Sequence, residues 1–403
     1  MLYSADRHEA CDTAEWDAER AAAMIATIVA DTEMRFSPGA FWPIHPRDAD
    51  DGGTVPAYPL YYGACGVIWA LRYLQAVGAA RLTRSYSPFL DELLARNRGW
   101  LAAEGVVAPG AYLMGDTSIR MLTFWDDPTR EGAAQIERLV EGNVADPTRE
   151  LMWGSPGTML AALFMHERTG ESRWAELFRH TARMLWSQLL WSNEHECHYW
   201  TQDLYGTTHT FIDAVHGFVG TASPLIRGRH LLDEHEWADW QRCIDNTVRR
   251  CATIEDGLVN WRPRLTQPED RDARMLMQFC HGAPGFVVAL GDFPGDSLDD
   301  LLLGGGEATW RAGPLVKGSN ICHGTGGNGY AFLKLYERTG DAMWLERARA
   351  FAMHAIRQTE ADTAHYGRMR YSLWTGDPGF AVYLWDCIEG RARFPTLDVF
   401  FAP

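Results

Sequence analysis

Two stretches decide the fold: CHGAPGFVVAL at Cys280–Leu290 and CHGTGGNGYAFL at Cys322–Leu333. Each carries a Gly-x-x-Gly element (Gly282 and Gly285, Gly324 and Gly327) followed at once by an apolar, helix-compatible run. Working outward, the same element recurs in YYGACGVIWAL (Gly63, Gly66), MWGSPGTMLAAL (Gly154, Gly157), VHGFVGTASPL (Gly217, Gly220) and LWTGDPGFAVYLW (Gly376, Gly379). A seventh copy, LMGDTSIRMLTFW, has Gly115 first and Ser118 in the second place. Between first glycines the steps are 52, 39, 63, 65, 42 and 52 residues, each long enough for two helices and two loops.

The intervening segments support that reading. MHERTGESRW (Met165–Trp174) and LYERTGDAMW (Leu335–Trp344) are near-duplicates at the same distance from their motifs, and each ends a helix at Gly170 or Gly340. Beyond them Trp344, Leu345, Ala348, Phe351, Ala352, Ala355 and Ile356 fall on one helix face, as do Trp174, Phe178, Leu185 and Leu189. Helices starting at a motif are apolar nearly all round and are expected inside; their amphipathic partners are expected to cover them. Seven pairs predict an all-α chain closed as an α/α barrel. We read residues 1–57 as an N-terminal extension, helical around Asp12 to Thr32, with a long loop PIHPRDADDGGTVPAYP (Pro43–Pro59), and residues 58–403 as one domain. CHYWTQDLY (Cys197–Tyr205) reads as a short strand or an irregular loop.

The 403 residues are 46% apolar, ample for a large core, and the 17 Trp and 38 Gly exclude a disordered acidic chain and a coiled coil. Against 53 Asp and Glu stand 37 Lys and Arg, a net charge of −16 that excludes phosphate-backbone binding as the main activity. No basic-then-apolar leader and no apolar run of membrane-spanning length occur, so a cytoplasmic protein without a membrane span is expected. The eight Cys are spread along the chain and read as thiols rather than a disulfide framework.

Two motifs are preceded by Cys-His, and equivalent places in a ring bring side chains to one central mouth. Cys280, Cys322 and His323 then form a Cys2His set of the kind a catalytic Zn²⁺ uses with its fourth position open. The residues alone leave a second reading open, in which the thiols are buried small hydrophobes and the histidines cap helices. GTGGNG (Gly324–Gly329) follows Cys-His rather than a strand and is no dinucleotide loop, and WGSPG lacks the glycine a nucleophile elbow needs. Asp116, Glu150, Asp213 and Asp377 near motif ends could pair as in a glycosidase but read more simply as caps and solvated helix ends.

The seven ordered motifs, FCHGAPGF, ICHGTGGNGYAFL and the terminal ARFP resemble the LanC-like family, the lanthionine-forming cyclases and their glutathione-binding animal relatives, over most of the chain. The resemblance implies a double α-toroid with inner and outer rings of seven helices, and a zinc ion on Cys280, Cys322 and His323. It implies addition of a thiol, from glutathione or a peptide Cys, to dehydroalanine or dehydrobutyrine in a peptide or protein, any dehydration being left to a separate kinase or dehydratase. The family's candidate acid falls on His216, which without the family reads as a hydrogen-bonded core histidine. Lys317 matches a lysine of the animal branch, and Arg368 and Arg370 stand near the family's basic loop, with Arg271 and Arg274 further candidates. Ser155 departs from an arginine frequent in the family and raises the alternative of a zinc-containing binding protein without turnover; a sugar-active α/α barrel is the remaining alternative.

Overall fold

The computed structural model describes residues 2–12, 14–49, 56–106, 109–266 and 275–402, with the side chain of Ala49 excepted; Arg271 and Arg274 lie outside the described residues. Fourteen helices alternate between two rings, as the repeat count predicts. The inner helices are α2 (Ala64–Ala76), α4 (Thr117–Asp126), α6 (Ser155–Thr169), α8 (Phe218–Arg227), α10 (Ala283–Leu290), α12 (Thr325–Thr339) and α14 (Asp377–Glu389). The outer helices are α1 (Ala18–Arg35), α3 (Leu90–Ala103), α5 (Arg130–Asn143), α7 (Ser172–Ser187), α9 (Glu234–Cys251), α11 (Asp299–Ala312) and α13 (Ala342–Tyr366). Each inner helix touches the next, and α14 touches α2, which closes the ring.

Burial separates the two sets. Every residue of α10 is buried, as are the first eleven of α12, whereas α9 buries only Trp240, Cys243, Ile244, Thr247 and Val248, one stripe at helical spacing. The seventh outer helix comes from the N-terminal segment: α1, capped by the Asp17 carboxylate, packs against α13 and α14. Three antiparallel hairpins join helices on the rim: β1 (Leu190–Ser192) with β2 (Cys197–Tyr199), β3 (Gln202–Leu204) with β4 (Thr207–His209), and β5 (Ala252–Glu255) with β6 (Leu258–Trp261). CHYWTQDLY is thus two short strands with a break at Trp200. No described helix is long and apolar enough to cross a membrane.

The C-terminal segment fills the centre of the inner ring. Phe394 stacks on Phe279 at 4.3 Å, and the Thr396 and Phe400 carbonyls accept from Tyr112 Oη (2.8 Å) and Trp69 Nε1 (2.9 Å). Arg227 and the buried Lys334 both pair with Asp398.

The second glycine of each motif explains the repeat. In six copies a Cβ there would lie within 2.8 Å of the carbonyl oxygen six residues earlier, from 1.8 Å at Gly379 to 2.8 Å at Gly220. Each of these glycines also faces the side chain at the matching place in the preceding repeat: Gly327 meets Phe279, Gly379 meets Ile321, and Gly66 meets Leu373 across the ring closure. The loop before each inner helix therefore folds tightly over that helix's first turn.

Gly379→Ala is expected to lose about 3 kcal/mol or more, since the clash is with backbone. Gly340→Ala, at φ +71° with open space around it, is expected to lose only the left-handed cost of about 1–2 kcal/mol. Thermal denaturation of both variants checks this, and equal losses would contradict the packing role of the second glycine.

Candidate active site

The loops that precede the inner helices meet at one end of the ring and are joined edge to edge by their backbones. Cys280 N–H donates to the Cys322 carbonyl (3.1 Å), Cys322 N–H to Trp374 (2.9 Å), Trp374 N–H to Tyr61 (3.0 Å) and Tyr61 N–H to Leu113 (3.0 Å). All five residues stand two places before the first glycine of their motifs. Cys280 and Cys322 are thereby neighbours although 42 positions separate their motifs. Their sulfurs and a ring nitrogen of His323 lie within 4.8 Å of one another, the one such Cys/His/carboxylate group found among the described residues.

Both sulfurs are buried and both are met by donors. Gln278 Nε2 donates to Cys280 Sγ (2.9 Å), and the Tyr61 hydroxyl lies 2.8 Å from Cys322 Sγ. The adjacent sulfurs act on one another: hydrogen bonding from Cys280 holds the Cys322 thiol below the ordinary range, and the same contact drives Cys280 well above it. Burial pushes His323 down to about 4, so its imidazole is neutral with a lone pair to give. Two thiolate-forming sulfurs and one neutral imidazole, with no carboxylate among them, form a donor set that suits zinc.

One place after each Cys position the loops carry His216, His281 and His323 in three successive repeats. Four places before the first glycine stand Glu150 and Asp213, both buried. Glu150 accepts the N–H groups of Met152 (2.9 Å) and Trp153 (2.6 Å), and Asp213 those of Val215 (3.0 Å) and His216 (2.7 Å). Each then accepts from the histidine of the next repeat: His216 Nδ1 lies 3.0 Å from Glu150 and His281 Nδ1 2.7 Å from Asp213. Burial opposes protonation of His216, but Glu150, Asp213 and Cys280 together outweigh it and raise the imidazole to about 9. The two rings lie 6.3 Å apart, beside the sulfurs, so the mouth holds a soft-metal donor set and an oriented, protonated histidine.

A cavity of about 620 Å³ opens beside His323, walled by Tyr61, Tyr62, Trp100, Trp153 and Tyr205. A smaller recess on the other side of Arg370 is lined by His45, Arg47, Lys317, Arg368 and Asp377.

A family model described as lanthionine synthetase C-like protein matches residues 55–399. The chain belongs to this family. Its relatives include LanC-like protein GCL1 of Arabidopsis thaliana, 30% identical over 266 residues that make up 62% of this chain and 58% of that one. Glutathione S-transferase LANCL1 of Danio rerio is 36% identical over 142 residues, 32% of this chain and 33% of the relative. The matched stretch spans less than two thirds of either relative's length. Nisin cyclase has the same fold, with a TM-score of 0.56 at 14% identity over 84% of this chain and 91% of that one.

In this LanC-like chain Cys280, Cys322, His323 and His216 gather at one mouth, and Lys317, Arg368 and Arg370 gather in the adjoining recess. Arg370 is engaged there, its guanidinium on Asp48 and its N–H on Asp377 (2.8 Å). Lys317 and Arg368 make no ion pair among the described residues, while Arg47 pairs with Asp362 at 3.0 Å. Ser155 opens α6, buried, with its Oγ unpartnered among the described residues. The carboxylates Asp116, Glu150, Asp213 and Asp377 are not solvated helix ends: all four are buried, because each turns inward to hold loop or side-chain donors. The motif alignment carried a signal for Glu150, Asp213 and Gln278, which share one offset from the first glycine, but only the fold reveals that two of them reach into the next repeat.

The His216–Glu150 pair stabilises the fold fully below the ordinary histidine value of 6.5, and that contribution fades as pH rises through about 9. Glu150→Gln removes the main force opposing burial, so the His216 midpoint is expected to fall well below about 9 in an NMR titration. An unchanged midpoint would contradict the assigned pairing.

Proposed function

We propose that the protein joins the thiol of glutathione to a dehydroalanine or dehydrobutyrine residue of a peptide or protein, forming a thioether. The carrying observation is the buried Cys280, Cys322 and His323 cluster with a carboxylate-held histidine beside it. Those three residues would hold zinc, which when bound lowers the pKa of an incoming thiol so that it reacts as thiolate. Support for glutathione comes from the recess: Lys317, whose charge acts on His323, and Arg368 offer cationic groups for the carboxylates of an anionic tripeptide in an otherwise acidic chain. A relative named glutathione S-transferase agrees with that choice.

In the reaction the sulfur bonds to the β-carbon of the dehydroamino acid, and the π electrons move to the α-carbon and its carbonyl. His216, protonated at neutral pH and fixed through Nδ1 on Glu150, gives the α-carbon its proton. The proton lost by the thiol restores the imidazolium, so one S–H is exchanged for one C–H. Asp213 orients His281 in the same way, which fixes a second imidazole beside His216. The backbone-held carboxylates Glu150 and Asp213 allow neither ring to swing away.

The purified protein is expected to carry stoichiometric zinc by metal analysis, and Cys322→Ala to lose both the metal and the glutathione adduct seen by mass spectrometry of a dehydroalanine peptide. A metal-free wild type, or adduct formation by Cys322→Ala, would overturn the reading. His216→Asn is expected to keep its zinc and lower kcat about a hundredfold or more. Lys317→Ala should raise KM for glutathione with kcat retained, the mark of lost binding rather than lost chemistry.

A further inference from the structure

The loop position that carries His216, His281 and His323 in repeats four to six carries Tyr62, Met114 and Trp153 in repeats one to three. The mouth is therefore divided: one half holds the histidines, and the other lines the cavity with these three apolar or aromatic side chains. The aromatic wall is continuous. Trp153 Nε1 donates to the Tyr205 hydroxyl (3.2 Å), Trp153 stacks on Trp100 with ring centroids 6.5 Å apart, Trp100 meets Tyr62 edge-on at 6.1 Å, and Tyr62 meets Tyr61 at 5.9 Å. Tyr61 ends the row at the Cys322 sulfur, 2.8 Å away.

The outer end of this wall is held in an unusual way. Tyr205 and Gly206 form the two-residue turn of the β3–β4 hairpin, both with positive φ (53° and 75°). The β5–β6 hairpin uses the same turn with the expected pair, Asp256 and Gly257, at 52° and 78°. A bulky aromatic in that left-handed position is strained, and Tyr205 is 77% exposed, so burial of its ring does not explain its place. Its hydroxyl is instead tied to Trp153 over the cavity.

We propose that this cavity binds the acceptor peptide through an aromatic or large apolar side chain next to the reacting residue, with Tyr205, Trp153 and Trp100 as the residues that select it. The cavity is far larger than a dehydroamino side chain requires and falls in the range that encloses a drug-sized ligand. Its exposed members, Pro43, Glu104 and Tyr205, place the opening at the surface, where a polypeptide can enter and leave. Its one cationic lining group, Arg370, is already paired with Asp48. The cations Lys317 and Arg368, unpaired among the described residues, line the recess and not the cavity, so the cavity beside His323 is left to an apolar acceptor side chain. The inference rests on the proposed reaction for the identity of the reacting residue, but not for the apolar selectivity itself.

The test uses two peptides that differ only in Phe or Gly beside an alanine standing in for the dehydroamino acid, with binding followed by calorimetry. The Phe peptide is expected to bind about five- to tenfold more tightly, the scale of a well-placed aromatic contact. Tyr205→Asn suits the turn better than tyrosine, so its melting temperature should be unchanged or higher while the Phe preference collapses. Equal binding of the two peptides, no binding of either, or a full Phe preference in Tyr205→Asn overturns the proposal. Because no turnover is read, a Phe preference without thioether formation would sink the proposed reaction alone, and thioether formation without the preference would sink this selectivity alone.

Discussion

The chain of backbone hydrogen bonds between the loops at the mouth is the constraint on which the rest depends. Each loop gives an N–H at one fixed offset from its motif to the carbonyl of the next loop, from Cys280 through Cys322, Trp374 and Tyr61 to Leu113. A slip of one residue in either cysteine loop would turn its sulfur away from its neighbour. The glycines enforce the register, since a side chain at Gly285, Gly327 or Gly379 would strike the carbonyl of the same loop. A steric requirement for no side chain in one place thus fixes two thiols in another.

The electrostatics follow from the same loops. A carboxylate buried at Glu150 or Asp213 is costly unless its lone pairs are filled, and two backbone N–H groups and an imidazole fill them. That arrangement makes the anion tolerable and the neighbouring cation persistent, so charge at the mouth is set by geometry and not by the acidic surface. The net charge of the whole chain is −16. Against it, Lys317 and Arg368 form a local exception, and the nearby Asp48 and Asp362 moderate it by engaging Arg370 and Arg47.

Much of this was legible before any coordinates, for a physical reason. A glycine required by a backbone clash leaves a fixed letter in the sequence, so seven motifs and an α/α ring could be read directly. Two Cys-His pairs at one offset announced the donor set. Glu150 and Asp213 were not legible in their roles, because a carboxylate before a helix looks like a cap and their partners lie 66 and 68 residues away. The fate of Arg370 was equally hidden: its partner Asp48 sits in a short helix, Pro46–Ala49, within the segment read as a long loop, and no motif places it there. Tyr205 left no mark at all, since nothing local separates a strained turn tyrosine from an ordinary surface one.

The closure of the ring also has a temporal side. The first helix, α1, packs on the last inner helix, α14, and the stretch from Phe394 to Phe400 occupies the hole that the other repeats surround. No partial chain emerging from the ribosome can satisfy these contacts. Helical pairs can form as they appear, but α1 must wait for its partners α13 and α14 until more than 300 further residues have been made. Native topology here is sealed by segments far apart in the chain, so the ring gains its closing contacts late and all together.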